Sequence, residues 1–361
     1  MVPLDARRHP AGRQRVRRQW TCAFATESVP HGPAHPTRPV TMSPANVVQR
    51  MKGFVIMNGS VPRRPFGKTG EEISVLGVGG FHIGVPDEAE GVAIIHRALD
   101  AGVNFLDNAW EYNDGDSEKR MGRALVQGGY RAKAFLMTKD CAHDRKAHHS
   151  AWKLEQSLNR LQTDHLDLWQ LHEVVWDDDP DWIFAPGGSA EALLKAKEQG
   201  KVRFIGFTGH KSPAIHKKML SQGFPWDAVQ MPINVLDAHY ESFQNEIVPM
   251  CHAQGIAVLG MKSMAGGHLL KSGAGITPAE ALRYAMSQAV STIISGMPSL
   301  AQLEQNLEVA RNFTPMTATE QDELRARAAA AAGKGEFEPF KTTRQFDANE
   351  GRVAHDFQLQ S

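Results

Sequence analysis

From residue 75 onward the chain alternates short apolar runs with amphipathic stretches eight times, and no other feature restricts its fold so tightly. The runs at 75–79, 103–107, 134–138, 165–171, 202–207, 226–230, 256–261 and 291–295 read as strands. The stretches after them, at 88–101, 117–127, 145–162, 188–199, 213–222, 241–254, 278–288 and 300–312, read as helices. Leu154, Leu158 and Leu161 share one helical face, as do Leu300, Leu303 and Leu307, so both stripes are expected to lie against a sheet. "TPAE" at 277–280 and "SLAQ" at 299–302 have the form of capping boxes, and "KSP" at 211–213 starts another helix. Eight consecutive βα units imply a parallel sheet that closes on itself. The fold class is therefore α/β, a (β/α)8 TIM barrel, and residues 61 to about 315 match the roughly 250 residues such a barrel needs. An open doubly wound sheet would carry G-x-G-x-x-G after its first strand, and "GVGGFHIG" does not supply it.

The ends of the chain differ from its middle. "ARRHPAGRQRVRRQW" is Arg-rich and aperiodic, and "SVPHGPAHPTRPVTMSP" is rich in Pro, Ser and Thr, so residues 1–60 are expected to be a disordered leader. Arg17 and Arg18 form a twin-arginine pair, but no continuous apolar region follows, which argues against an export signal. "RRPFGKTGEEISV" reads as a hairpin turning at Gly67 to Gly70. The barrel is assigned to 61–340, including a C-terminal helix, and the tail to 341–361, with "EPFKTTRQFD" at 338–347 expected to lie over the barrel mouth.

Charge narrows the function. Forty basic and 40 acidic side chains give a formal net charge of zero, which argues against nucleic acid or an anionic membrane surface as partner. No run approaches the roughly 20 apolar residues of a membrane span. Three cysteines, Cys22, Cys141 and Cys251, lie too far apart for metal spacing and too few for a disulfide framework. A reducing, cytoplasmic setting and a small-molecule substrate follow as expectations.

Active sites in such barrels collect at the carboxyl ends of the strands. Asp107 closes the second strand, Lys139 the third and His172 the fourth, and Tyr112 stands on the loop after the second. Each has an ordinary structural use alone; together they form an acid–base group. A phenol titrates near pH 10, and a neighbouring ammonium would lower that value, so Lys139 is expected to activate Tyr112 while Asp107 holds Lys139 and His172 orients the substrate oxygen. An acid poised over an oxygen suits carbonyl reduction.

At these residues the sequence resembles the aldo-keto reductase family, over nearly all of 61–340. The resemblance rests on "GVNFLDNAWEYNDGDSEKRMGRAL", "MTKD", "LDLWQLHE", "GKVRFIGFTGH" and "SGMPSLAQLEQN", in that order. It implies NAD(P)H-dependent reduction of an aldehyde or ketone with Tyr112 as general acid. It also implies a nicotinamide held near Thr208 and Gln230, the pyrophosphate along "MKSMAGG" and the adenine near Asn306. Met261 stands where many members stack a tyrosine on the nicotinamide, and His210 stands where an amide is common. Gly296, Met297 and Gln302 fall where cations often grip a 2′-phosphate, with Lys262 as a possible substitute; the resemblance alone ranks NADP(H) ahead of NAD(H). No cysteine follows Cys251, which excludes the ferredoxin-like cluster of some relatives, and no metal is expected.

Trp110 and His143 are the expected substrate contacts, with "HDR" at 143–145 on the rim and Trp176 and Trp182 on neighbouring loops. His148 and His149 point about 100° apart on a helix and read as solvated, and "WDDDPDW" at 176–182 reads as a turn before a helix. Two other functions fit the same barrel: a cofactor-binding regulatory module with little turnover, and a metal-dependent hydrolase, which would need further ligands at strand ends.

Overall fold

In a computed structural model the described residues are 49–51, 54–56, 60–142 and 144–349. Met1–Pro44 lies outside them, and everything below concerns the unit Ala45–Ser361. Four short strands come first: β1 (Gln49–Met51), β2 (Phe54–Ile56), β3 (Arg63–Pro65) and β4 (Glu72–Ser74). Eight more follow, β5 (Leu76–Gly79), β6 (Phe105–Asp107), β7 (Phe135–Asp140), β8 (Leu166–Leu171), β9 (Val202–Thr208), β10 (Ala228–Pro232), β11 (Ala257–Met261) and β12 (Thr292–Ser295). These eight pair in parallel, each with its neighbours in sequence, and β12 pairs with β5 to close the barrel. Each agrees with the sequence reading to within two residues. β6, β7 and β8 are buried along their whole length, as parallel strands covered on both faces must be.

The outer helices carry the expected faces. Leu154, Leu158 and Leu161 are buried on Ala147–Leu161, and Leu303 and Leu307 on Leu300–Arg311. Leu300 is a correction: it is 38% exposed, because it opens its helix at the barrel rim beyond the packed layer. Thr277 and Glu280 form a complete capping box, whereas Ser299 accepts from the Gln302 backbone without a reciprocal bond from the Gln302 side chain. A second complete box, Thr317 with Glu320, starts the C-terminal helix Ala318–Ala332. Each N-cap contributes about 1 kcal/mol.

β3 and β4 form the expected hairpin, and it closes the amino end of the barrel. Phe66 and Ile73 are fully buried against Phe105, Phe135, Met137 and Leu168. The turn brings backbone against backbone: a Cβ on Gly67 would lie 2.6 Å from the Gly255 carbonyl oxygen, and Gly67 has φ of 55°, so glycine is required there. With that end of the barrel interior filled by Phe66 and Ile73, the strand-end side chains are approached from the carboxyl end.

Both ends of the chain depart from the assignment. The leader was expected to lack regular structure through residue 60, but β1 pairs with β2, and β2 pairs with β3 at Val55 and Arg63. Runs of three residues are too short to register a period; their pairing depends on the edge that β3 supplies. The rest of the leader, residues 1–48, lies outside the described residues. At the other end the boundary at 340 cuts a buried cluster. Lys341 Nζ is bonded to Asp237 (2.7 Å) and Glu338 (2.8 Å), all three buried. Asn234 adds a hydrogen bond to Glu338 at 2.9 Å. Residues 338–347 thus belong to the barrel and cross its carboxyl face, where His210 donates to the Phe346 carbonyl (3.0 Å) and Trp176 to that of Asp347 (3.3 Å). None of the described helices is long and apolar enough to cross a membrane.

Candidate active site

Adjacent strands deliver the central group. Asp107 ends β6 and Lys139 lies near the end of β7, and Lys139 Nζ donates to both Asp107 carboxylate oxygens at 2.8 Å. It also donates to the Asn108 carbonyl at 2.8 Å, and the pair is buried. The Tyr112 hydroxyl lies 3.3 Å from Lys139 Nζ and 3.5 Å from His172 Nε2. The expected quartet is therefore one contiguous group.

Two braces hold it. The loop between β6 and Tyr112 is tied to β7 by the Trp110 amide, which donates to the Lys139 carbonyl, and by Arg160, which bridges the Trp110 carbonyl (2.7 Å) and buried Glu118 (3.2 Å). Glu118 also accepts from Thr138 on β7. The segment after β8 is tied down by Arg145. Its Nη2 donates to the carbonyls of His172 and Glu173 at 2.9 Å, and its Nε pairs with Asp179 at 2.9 Å. Arg145 was placed among the rim contacts for substrate. It is instead buried, because two carbonyls and a carboxylate pull it inward.

Burial and charge set the phenol. The sequence reading expected Lys139 to lower the Tyr112 pKa, but the phenol is held well above 10, first by burial and then by Asp107, Glu111 and Glu173. Asp107 offsets the Lys139 ammonium, so burial and the three carboxylates prevail. Tyr112 remains a neutral hydrogen donor at physiological pH. Glu173 is itself raised, chiefly by burial.

Across the barrel, Thr208 at the end of β9 is the register partner of Gln230 in the middle of β10. Gln230 donates from Nε2 to Asp107 (3.2 Å) and to Met261 Sδ (3.6 Å), while its Oε1 is buried without a hydrogen-bond partner among the described residues. Lys262 has φ of 55° and lies 5.3 Å over the Phe340 ring, with its pKa lowered by burial. Gly296 packs on His82, where a Cβ would come within 2.1 Å of the ring. Asn306 donates to Ser295 at 3.0 Å, and Gln302 is exposed on the first turn of its helix.

The substrate contacts fare differently. Trp110 is 4% exposed; its indole nitrogen is bonded to Gln156 at 2.8 Å and Arg160 lies over the ring, so it builds the wall toward the helix behind it rather than facing the mouth. His143 lies outside the described residues. His149 pairs with Asp144 on the helix surface, and Asp179 of "WDDDPDW" is used by Arg145. Sequence reasoning missed Phe81, 49% exposed after β5 with its ring edge-on to Tyr112 at 5.6 Å. It also missed Glu111 and Glu173. The only available signal was their adjacency to Tyr112 and His172.

Comparison with known proteins agrees with this geometry. A model of the "Aldo/keto reductase family" matches residues 75–280. The chain belongs to the aldo/keto reductase family. It is 26% identical over 287 residues to L-galactose dehydrogenase of Arabidopsis thaliana, covering 68% of this chain and 86% of that one. It is 33% identical over 247 residues to the uncharacterized oxidoreductase YrpG of Bacillus subtilis, covering 59% and 71%. The aldo-keto reductase AKR11C1 of Bacillus halodurans, in its holo form, superposes with a TM-score of 0.64 at 26% identity, covering 76% of this chain and 98% of that one. The protein is thus an NAD(P)H-dependent oxidoreductase of the carbonyl-reducing type.

Proposed function

We propose that the protein reduces an aldehyde or ketone to the alcohol with Tyr112 as general acid. The observation that carries this is the single contact group in which Asp107 fixes Lys139 and Lys139 and His172 both reach the Tyr112 hydroxyl. The open acceptor of Gln230 suits the amide of a nicotinamide beside Thr208, and Met261 offers a polarizable surface for the ring. When bound, the reduced cofactor supplies hydride to the carbonyl carbon. Tyr112 gives its proton to the carbonyl oxygen, which is a stronger base than a phenolate once reduction begins. Lys139 then faces the phenolate, and its charge becomes useful only at that stage. Phe81 supplies an apolar wall on the substrate side.

The finer cofactor reading keeps both nicotinamides, with NADP(H) first by resemblance and discrimination small. Around the helix Leu300–Arg311, where the resemblance puts the 2′-phosphate, Arg97 is held by Glu304 at 2.6 Å, and Glu90 accepts from the Leu300 amide at 3.4 Å. A panel of aliphatic, aromatic and sugar carbonyls, followed by cofactor absorbance, tests the proposal. Turnover of at least one class supports it, and binding of cofactor without turnover across the panel favours a regulatory module.

A further inference from the structure

Glu111, immediately before the proposed acid, is hydrogen-bonded through Oε1 to Nδ1 of His172. An ionised carboxylate only accepts, so the hydrogen of that bond belongs to the imidazole. Both partners stand on braced backbone: Trp110, next to Glu111, is tied to Lys139 and Arg160, and Arg145 grips the carbonyls of His172 and Glu173. The opposite ring nitrogen, Nε2, lies 3.5 Å from the Tyr112 hydroxyl.

We propose that Glu111 is a positioning residue whose carboxylate fixes the hydrogen of His172 on Nδ1 and thereby makes Nε2 the nitrogen that exchanges protons with Tyr112. The inference rests on the carbonyl-reduction reading. Once Tyr112 has given its proton to the carbonyl oxygen, Nε2 of the neutral, Nδ1-protonated ring takes a proton from bulk solvent and passes it to the phenolate. The ring keeps its Nδ1 hydrogen on Glu111 throughout, and Nε2 ends unprotonated as it began, the one solvent proton taken up being the proton that the reduction consumes. Charge and atoms balance in each cycle, and Tyr112 is recharged without opening the Lys139–Asp107 pair. Without Glu111 the neutral ring can place its hydrogen on either nitrogen, and the Nε2–H form of a neutral ring is a poor source for the phenolate.

Imidazole nitrogen NMR of the full-length, histidine-labelled protein tests this directly, with the His172 signal assigned by its loss in His172→Gln. The expected spectrum has Nδ1 of His172 protonated in the parent protein, a mixture of tautomers in Glu111→Ala, and partial recovery in Glu111→Asp. Glu111→Gln, of the same size, offers Nδ1 either a donor or an acceptor and should also give a mixture, which covers a failure of the alanine variant to fold. In turnover, Glu111→Ala should lower kcat about tenfold or more with the carbonyl KM little changed, and should cost nothing further in a His172→Gln background. An unprotonated Nδ1 in the parent would overturn the proposal, including one bound to a cation among the Glu111, His172 and Glu173 atoms that lie within 4.8 Å of one another. Equal losses from Glu111→Ala in both backgrounds would overturn it too. Absence of carbonyl turnover would defeat the functional reading, and the NMR tautomer would still decide the role of Glu111.

Discussion

The phenol of Tyr112 sits among three carboxylates, and its high proton affinity decides how it can serve. Reduction needs its protonated form, which is lost only as pH rises through the folded value, and that value lies well above 10. Single-turnover reduction should therefore show no alkaline fall from this group between pH 7 and about 10, the ordinary phenol value; a fall centred near pH 8 would contradict the assignment. Alcohol oxidation needs the phenolate and should rise over the same window. At this scale the strand-end residues Asp107, Lys139 and His172 were legible in the sequence, because a residue that ends a barrel strand has one place to go. Arg145 and Glu111 were not. Their roles depend on partners 27 to 61 residues away in the chain, a separation that no local pattern encodes.

The segment 338–347 is held over the mouth by a buried cluster with one cation and two acids. Lys341 cannot neutralise both Asp237 and Glu338, and burial pushes Glu338 up to about 7, with Asp237 raised as well. Between the ordinary 4.5 and about 7 the folded protein binds more protons here than the unfolded chain does, so stability falls as pH rises through that window and levels off above it. Glu338→Gln removes one titrating group, and the drop in Tm between pH 5 and pH 7.5 should shrink. An undiminished drop in the variant would place the pH dependence elsewhere. That this segment lies over the mouth is the sequence expectation, and the bonds of His210 to Phe346 and of Trp176 to Asp347 put it there. The buried lysine was not legible, because a lysine in a polar stretch gives no sign of the two acids that will enclose it. β1 and β2 escaped notice for a different reason: their hydrogen bonds come from a partner strand, while their own sequences are too short for a period.

For the molecule as a whole, the alternation of strand and helix determined nearly everything about the scaffold, since eight parallel strands with right-handed crossovers have one compact closure. The hairpin then plugs the amino end of the barrel interior, and the carboxyl end collects Asp107, Lys139 and His172. What the cofactor finds there follows from the whole rim. With Arg97 committed to Glu304 and Glu90 facing the same helix start, dissociation constants for NADPH and NADH should differ by no more than about a hundredfold, roughly 3 kcal/mol. A thousandfold difference by titration calorimetry would reveal a phosphate grip outside these residues. The most direct test of the central claim is stopped-flow single turnover of Tyr112→Phe with a reactive aldehyde. That substitution removes one hydroxyl and leaves Asp107 bonded to Lys139. Cofactor affinity should be unchanged and the hydride-transfer rate lower by about 10² or more, the contribution of a positioned acid; a near-parental rate would contradict the role of Tyr112 as general acid.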